Sequence, residues 1–240
     1  MMKKYIYLIV AALAWTAGCM AQQPFKRELA VGVNGGVNFS SIGFTPKVDQ
    51  SMLMGITGGA TLRWITEKNL GLSVELNLSQ QGWKESFPDD EIKEQPVGYA
   101  YSRTLSYIEM PFLTHIYFGS QKARFIFNLG PKIGYMFQES SKADLHGEWP
   151  NFDGDENEQN NGPNRINYQH AMTVENKFDW GLCGGPGLEL RTGIGSFLLE
   201  GRYYMALGNI YGSKKVDKFA KSNGQTLSVK LTYLFTLKKW

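Results

Sequence analysis

The stretch Leu70-Gly71-Leu72-Ser73-Val74-Glu75-Leu76-Asn77-Leu78 places a large apolar residue at every even position and a small or polar one at every odd position. Successive side chains of a strand point to opposite faces, so this stretch reads as a strand with one oily face and one polar face. The same period of two recurs over Glu28–Phe39, Met52–Trp64, Ile108–Phe118, Phe125–Phe137, Phe178–Leu190, Phe197–Leu207 and Leu227–Leu237. No long helical period accompanies these segments. Each has about 9–13 residues, the length at which a tilted strand crosses a bilayer.

The connections alternate in length. Those around Ile65–Asn69, Gly119–Ala123 and Arg191–Gly195 are short, and those at Ser40–Ser51, Lys84–Arg103, Gln138–Lys177 and Gly208–Gln225 are long. An even strand number with short turns at one end and long loops at the other is the pattern of outer-membrane barrels, turns in the periplasm and loops outside. The expected fold is therefore all-β, an eight-stranded antiparallel up-and-down transmembrane β-barrel.

The second face separates this reading from a soluble barrel. It carries many glycines, among them Gly32, Gly36, Gly59, Gly185 and Gly187, together with Arg63, Glu75, Glu109, Lys132, Glu189, Glu200, Arg202 and Lys230. Glycines on a solvent face weaken strands for no packing return. Inside a narrow barrel they leave room for long charged side chains. Four carboxylates against four cations predict a paired polar interior, since buried charges need partners. Eight strands enclose only enough space for side chains, so this charge network is expected to plug the lumen. Trp64, Phe39, Phe118, Phe137, Phe178, Tyr203 and Tyr233 fall on the lipid face, most of them near strand ends, where aromatic girdles belong.

Average composition hides these two faces. The 240 residues are 42% hydrophobic and 20% charged, with mean hydropathy −0.29. Such values exclude a bundle of membrane helices, each of which needs an apolar run of about 20 residues. With 6 Trp, 12 Tyr and 14 Phe the chain is also too aromatic to be disordered.

Residues 1–21 read as a signal peptide and 22–240 as the barrel domain. Lys3 and Lys4 precede an apolar core from Tyr5 to Trp15, and Cys19-Met20-Ala21 forms a small-x-small cleavage site. Thr16-Ala17-Gly18-Cys19 also resembles a lipobox, lacking only the leucine at its first position, so two processing routes stay open at Cys19. Without Lys3 and Lys4 the formal charge drops from +3 to +1. A near-neutral chain with no basic run is not expected to bind nucleic acid. Cys183, the other cysteine, has no partner for an internal disulfide once Cys19 is removed and is expected to be a small apolar core residue.

Four stretches carry a family resemblance: Val31-Gly32-Val33-Asn34-Gly35-Gly36-Val37-Asn38-Phe39, Glu75-Leu76-Asn77-Leu78-Ser79-Gln80-Gln81-Gly82-Trp83, Tyr107-Ile108-Glu109-Met110-Pro111-Phe112-Leu113 and Asn128-Leu129-Gly130-Pro131-Lys132-Ile133-Gly134-Tyr135. They resemble the PorT-like outer-membrane β-barrel proteins of Bacteroidetes, and the likeness covers essentially the whole mature chain. The resemblance implies an outer-membrane barrel. The founding member of that family is linked to protein secretion and gliding, and the family defines no catalytic residues. One departure stands at the end of the last segment. Such barrels commonly close on an in-phase Phe, whereas here Lys238-Lys239-Trp240 follow Leu237, and Trp240 is out of phase with Leu227–Leu237.

Function on such a scaffold is expected in the loops. Gln138–Lys177 is the longest and mostly acidic; from Gln138 to Asn176 it carries Glu139, Asp144, Glu148, Asp153, Asp155, Glu156, Glu158 and Glu175 against Lys142 and Arg165. Asp153-Gly154-Asp155-Glu156-Asn157 opens like a calcium loop, but Glu158 stands where glycine is needed and Asn164 where a carboxylate should close it. A solvated acidic loop with no metal is expected. Lys214, Lys215, Lys218 and Lys221 against Asp217 in the last loop are expected to be ordinary solvated charge, with contact to anionic lipopolysaccharide or to the acidic loop as the alternative. Of the three histidines, His115 points inward without an evident Ser or Asp partner, and His146 and His170 lie in the long loop. No G-x-S-x-G occurs, and the glycine cluster Gly184-Gly185-Pro186-Gly187 lies inside a strand rather than before a helix. No catalytic residue and no cofactor are therefore expected. Expected partners are outer-membrane lipid, lipopolysaccharide and other outer-membrane or secretion proteins. A small porin-like transport protein is the alternative, and an outer-membrane lipid enzyme stands further off.

Overall fold

The computed structural model describes residues 25–85, 100–144, 172–212 and 219–240. The signal region with Cys19, the calcium-like segment, His146, His170, Lys214, Lys215 and Lys218 lie outside the described residues. The strands are β1 Glu28–Thr45, β2 Gln50–Ser51, β3 Leu53–Glu67, β4 Leu70–Glu85, β5 Ala100–Gly119, β6 Ala123–Asp144, β7 Phe178–Arg191, β8 Ser196–Ala206 and β9 Lys221–Lys239. β2 is a two-residue addition paired with the end of β4. The eight long strands each pair antiparallel with their neighbours in sequence, and β1 pairs with β9, so the sheet closes into a ring. No described helix is long and apolar enough to cross a membrane.

Turn chemistry fixes one end of the barrel. Asn69, at positive φ, joins β3 to β4. Gly119 at φ 127° and Gly195 at φ 155° shape the β5–β6 and β7–β8 turns, which strands of L-residues cannot enter cheaply. At the latter, the Thr192 backbone N–H and hydroxyl both donate to the Gly195 carbonyl at 2.8 Å.

Side-chain exposure settles which face is which. Leu76 and Leu78 are 52% and 60% exposed, whereas Glu75 and Asn77 are 2% and 3% exposed. The apolar sets of all eight long strands form a continuous outer belt and the polar sets fill the lumen. An exposed apolar surface of this extent belongs in lipid, and a soluble barrel would show the reverse.

The strands are longer than their apolar alternation. β1 continues to Thr45, β4 to Glu85 and β6 to Asp144, while β5 begins at Ala100 and β9 at Lys221, so the loops expected at Ser40–Ser51, Lys84–Arg103, Gln138–Lys177 and Gly208–Gln225 are shorter. The cause is a reversal of polarity along an unbroken ladder. Beyond Leu78 on β4 the outward Lys84 is polar and the inward Trp83 is aromatic. A ladder that has left the bilayer meets water outside, so its apolar residues turn in.

A bulge also re-phases the last strand. Leu29 faces Lys238 while Ala30 faces Thr236, which leaves Leu237 as the extra residue. Lys239 then turns toward the lumen mouth, its Nζ 3.8 Å from Glu28. Trp240 exchanges backbone hydrogen bonds with Arg27 and emerges exposed. Counting residues puts Trp240 out of phase, and the bulge restores it to the outer face.

Candidate functional site

The lumen is built in layers, each from side chains that alternate inward along neighbouring strands. Nearest the turns, Glu28 of β1, Arg63 of β3 and Glu189 of β7 converge. Arg63 Nη1 donates to Glu189 at 2.9 Å and Nη2 to Glu28 at 3.2 Å, tying opposite walls across the lumen. Arg191 also bonds Glu28, and Arg124 lies 3.8 Å from Glu189 while its guanidinium stacks over Tyr117 at 4.3 Å.

Glu75 centres the middle layer. Arg202 clamps it with both terminal nitrogens, at 3.0 and 2.7 Å, and Lys230 Nζ reaches it at 2.6 Å. Arg202 also donates to Glu200 at 2.8 Å, and Glu200 sits directly opposite Lys230 in the β8–β9 register. A bidentate guanidinium–carboxylate pair is the strong form of this interaction, and burial from water makes it stiffer. Asn34 bridges Thr61 and Asn77, and Asn77 in turn donates to Glu75, so the layer is continued by amides. The third layer pairs Lys132 with Glu109 at 2.5 Å, Lys132 lying 3.4 Å from the Tyr204 ring. Gln81 joins Glu109 to Thr226, and Tyr204 donates to Asp179 at 2.7 Å. Between these groups remains a void of about 30 Å³, lined by Cys183 among others, about the size of one water.

The structure thus places all eight charges of the second face in the lumen and brings them into three clusters: Arg63 with Glu189, Glu75 with Lys230 and Arg202, which also holds Glu200, and Lys132 with Glu109. Glu28, Arg124 and Arg191 belong to the same network, although the sequence does not single them out as candidates. Their signal was phase. Glu28 shares the parity of Ala30 and Gly32, Arg124 that of Lys132, and Arg191 that of Glu189, but each stands beside the end of an alternating segment, where the pattern gives out.

The glycines act differently from expectation at several positions. A Cβ on Gly185 would run into the carbonyl of Gly201 on the adjacent strand, so there the backbone approach itself excludes a side chain. At Gly187 the added carbon would lie 2.6 Å from the Leu199 carbonyl, an approach of the same kind, and also 2.8 Å from Glu200 Cγ, which is the room for a charge that composition implies. Tight coiling of a small barrel accounts for the first kind and the packed charges for the second.

Above the third layer the lumen becomes apolar. Phe44, Trp83, Tyr101, Leu105, Tyr211 and Phe219 form one buried cluster. Phe44 meets Phe219 at 4.9 Å and Trp83 edge-on at 5.4 Å, while Tyr211 stacks on Phe219 at 5.9 Å. Backbone bonds from Ile210 to Ser222 and from Ala220 to Thr45 fasten the overlying chain to the strands. Arg103 donates to the Tyr211 hydroxyl at 3.0 Å, lies over the Trp83 ring at 5.6 Å and pairs with Glu139. Burial holds the Tyr211 phenol well above its ordinary pKa, so it stays neutral. No run of inward apolar residues in the membrane segments signals this cap. Tyr211 and Phe219 fall in the loop expected at Gly208–Gln225, and Trp83 stands just before the one expected at Lys84–Arg103.

His115 is buried against Asn128, Nδ1 to Oδ1 2.8 Å, with Tyr117 beside it. Among the described residues no group of three His, Cys, Asp or Glu is arranged to hold a metal. Cys183 is buried as a free thiol.

The pattern of the outer membrane protein beta-barrel domain matches residues 20–212. Among solved structures the fold is similar to Ail, the attachment invasion locus protein of Yersinia pestis, at 12% identity over 87% of this chain and 99% of that one, TM-score 0.39. It is similar to Neisserial surface protein A at 12% identity, 88% and 100% coverage, TM-score 0.41. OprG of Pseudomonas aeruginosa gives 10% identity, 90% and 98% coverage, TM-score 0.45. No curated protein matches the chain.

Proposed function

This chain belongs to the outer membrane protein beta-barrel domain family of the bacterial outer membrane, and from that membership we propose that it is a membrane-embedded interaction protein that conducts no solute. The observation that carries the proposal is the doubly closed lumen, charge-paired through the membrane and aromatic at its outer end. A solute path would have to break cross-lumen pairs such as Arg202–Glu75 and displace Trp83 and Phe219 as well. What remains available to partners is the pair of barrel ends, in contact with outer-membrane lipid, lipopolysaccharide and neighbouring proteins.

A PorT-like role in secretion is the finer form of this reading. It rests on the resemblance of the Tyr107–Leu113 and Asn128–Tyr135 stretches, with export through a cleaved signal peptide at residues 1–21. The paired lumen charges are assigned to stability and closure, with no catalytic step.

Planar-bilayer recording tests the proposal. The purified barrel is expected to give no steady openings. Stable single-channel currents would replace it with the porin-like reading. Loss of a secreted cargo on deletion would support the secretion form, and an unchanged secretome would remove it.

A further inference from the structure

The turn end of the barrel opens into a basin of about 930 Å³. Six cations line it: Lys26, Lys68, Lys122, Arg124, Arg191 and Lys239. Glu28 is the one carboxylate among the lining residues, and Arg63, Arg191 and Lys239 already share it. Lys26, Lys68 and Lys122 are exposed and pair with no carboxylate among the described residues. At the basin floor, Arg124 reaches Glu189 only at 3.8 Å, and its Nη1 is buried without a hydrogen-bond partner. A concave wall of one sign focuses potential into the cavity and attracts anions. This excess is local, because the chain without residues 1–21 carries only +1.

The same wall also exposes the apolar side chains of Phe25 and Ile194. A bare inorganic anion would gain nothing from these, whereas a chain bearing both carboxylates and apolar side chains would meet both kinds of surface. The basin's volume lies in the range of sites that enclose a small ligand or a few residues of a peptide.

We propose that this basin is a periplasmic docking site for an acidic, partly apolar peptide segment of a partner protein. The proposal goes beyond the closed-barrel reading and stands whether or not the lumen conducts. Lys68 and Lys122 form the rim that draws the segment in. Arg124 and Arg191 form the floor that receives its carboxylates.

The test is fluorescence anisotropy of a labelled peptide of alternating Glu and Leu, added to the full chain in zwitterionic nanodiscs at low salt. Binding is expected, and the rim variant Lys68→Glu/Lys122→Glu should weaken it about tenfold through lost electrostatic attraction. Lys221→Glu, at the opposite end, should leave it unchanged. The rim residues are exposed turn lysines, so that variant should fold, which a heat-modifiable gel shift checks. Absence of binding, or equal weakening by Lys221→Glu, would overturn the proposal. Full displacement by millimolar inorganic phosphate would reduce the basin to a simple anion site. Failure of the rim variant to alter peptide binding while it abolishes co-sedimentation with phosphatidylglycerol vesicles would assign these lysines to the membrane instead.

Discussion

The lumen is closed twice, by opposite chemistries. In the membrane segment Glu75, Arg202, Lys230 and Glu200 tie strand to strand by charge, and at the outer end Phe44, Trp83, Tyr211 and Phe219 fill the space by contact. The difference follows from what lies outside the wall. Where the wall faces lipid, apolar residues are drawn outward and the inward positions are left to polar groups that must satisfy one another. Where the wall faces water, the ordinary rule returns and apolar residues are buried. One inward face therefore changes character along its length without any break in the ladder.

Two substitutions should separate the regions most sharply. Glu75→Ala leaves Lys230 and part of Arg202 as uncompensated buried charges and should cost roughly 3–5 kcal/mol. Trp83→Ala removes the largest side chain of the cap and should cost a similar roughly 3–5 kcal/mol, by cavity formation. Their rescues should differ. Adding Lys230→Met should recover much of the loss in Glu75→Ala, because the stranded charge goes, while Trp83→Phe should recover most of the cap by volume alone. Urea unfolding in vesicles followed by tryptophan fluorescence reads the first pair, and the gel shift reads both. If Lys230→Met deepened the defect, the middle layer would not be held by charge pairing.

A smaller effect is expected on the outer belt. Leu76→Arg places a charge against lipid near mid-membrane and should cost roughly 2–4 kcal/mol in the same unfolding assay. Unchanged stability would contradict the outward assignment of Leu76. Arg103→Met, which removes the hydrogen bond to Tyr211 and the contact over Trp83, should cost about 1–2 kcal/mol and loosen the cap alone. Lys47→Ala breaks an exposed pair with Asp49 at 2.9 Å and should leave the urea midpoint where it is.

Much of this was legible in the chain itself. Strict alternation from Leu70 to Leu78 determined strand, face and barrel together, because a period of two leaves a residue only one side to choose. The parity of Arg63, Glu75, Glu109 and Lys132 placed them inside for the same reason. Partner choice was less legible. That Arg63 meets Glu189 and Arg202 meets Glu75 depends on which strands stand opposite across the ring, a property of closure and stagger rather than of local pattern. The cap is not legible in the chain because Trp83 and Phe44 lie where alternation of hydropathy reverses, and reversal looks like the end of a strand. Trp240 misled for a further reason: one bulged residue, Leu237, changes the parity of all that follows.

Cys183 offers the most direct test of closure. Its thiol is buried in the lumen, lining the void among the charge layers. The folded protein in vesicles is treated with a membrane-impermeant methanethiosulfonate reagent, and the Cys183 peptide is read by mass spectrometry. A lumen sealed at both ends predicts no modification of Cys183 until urea unfolds the barrel. Rapid, complete modification of the folded protein would contradict the sealed lumen.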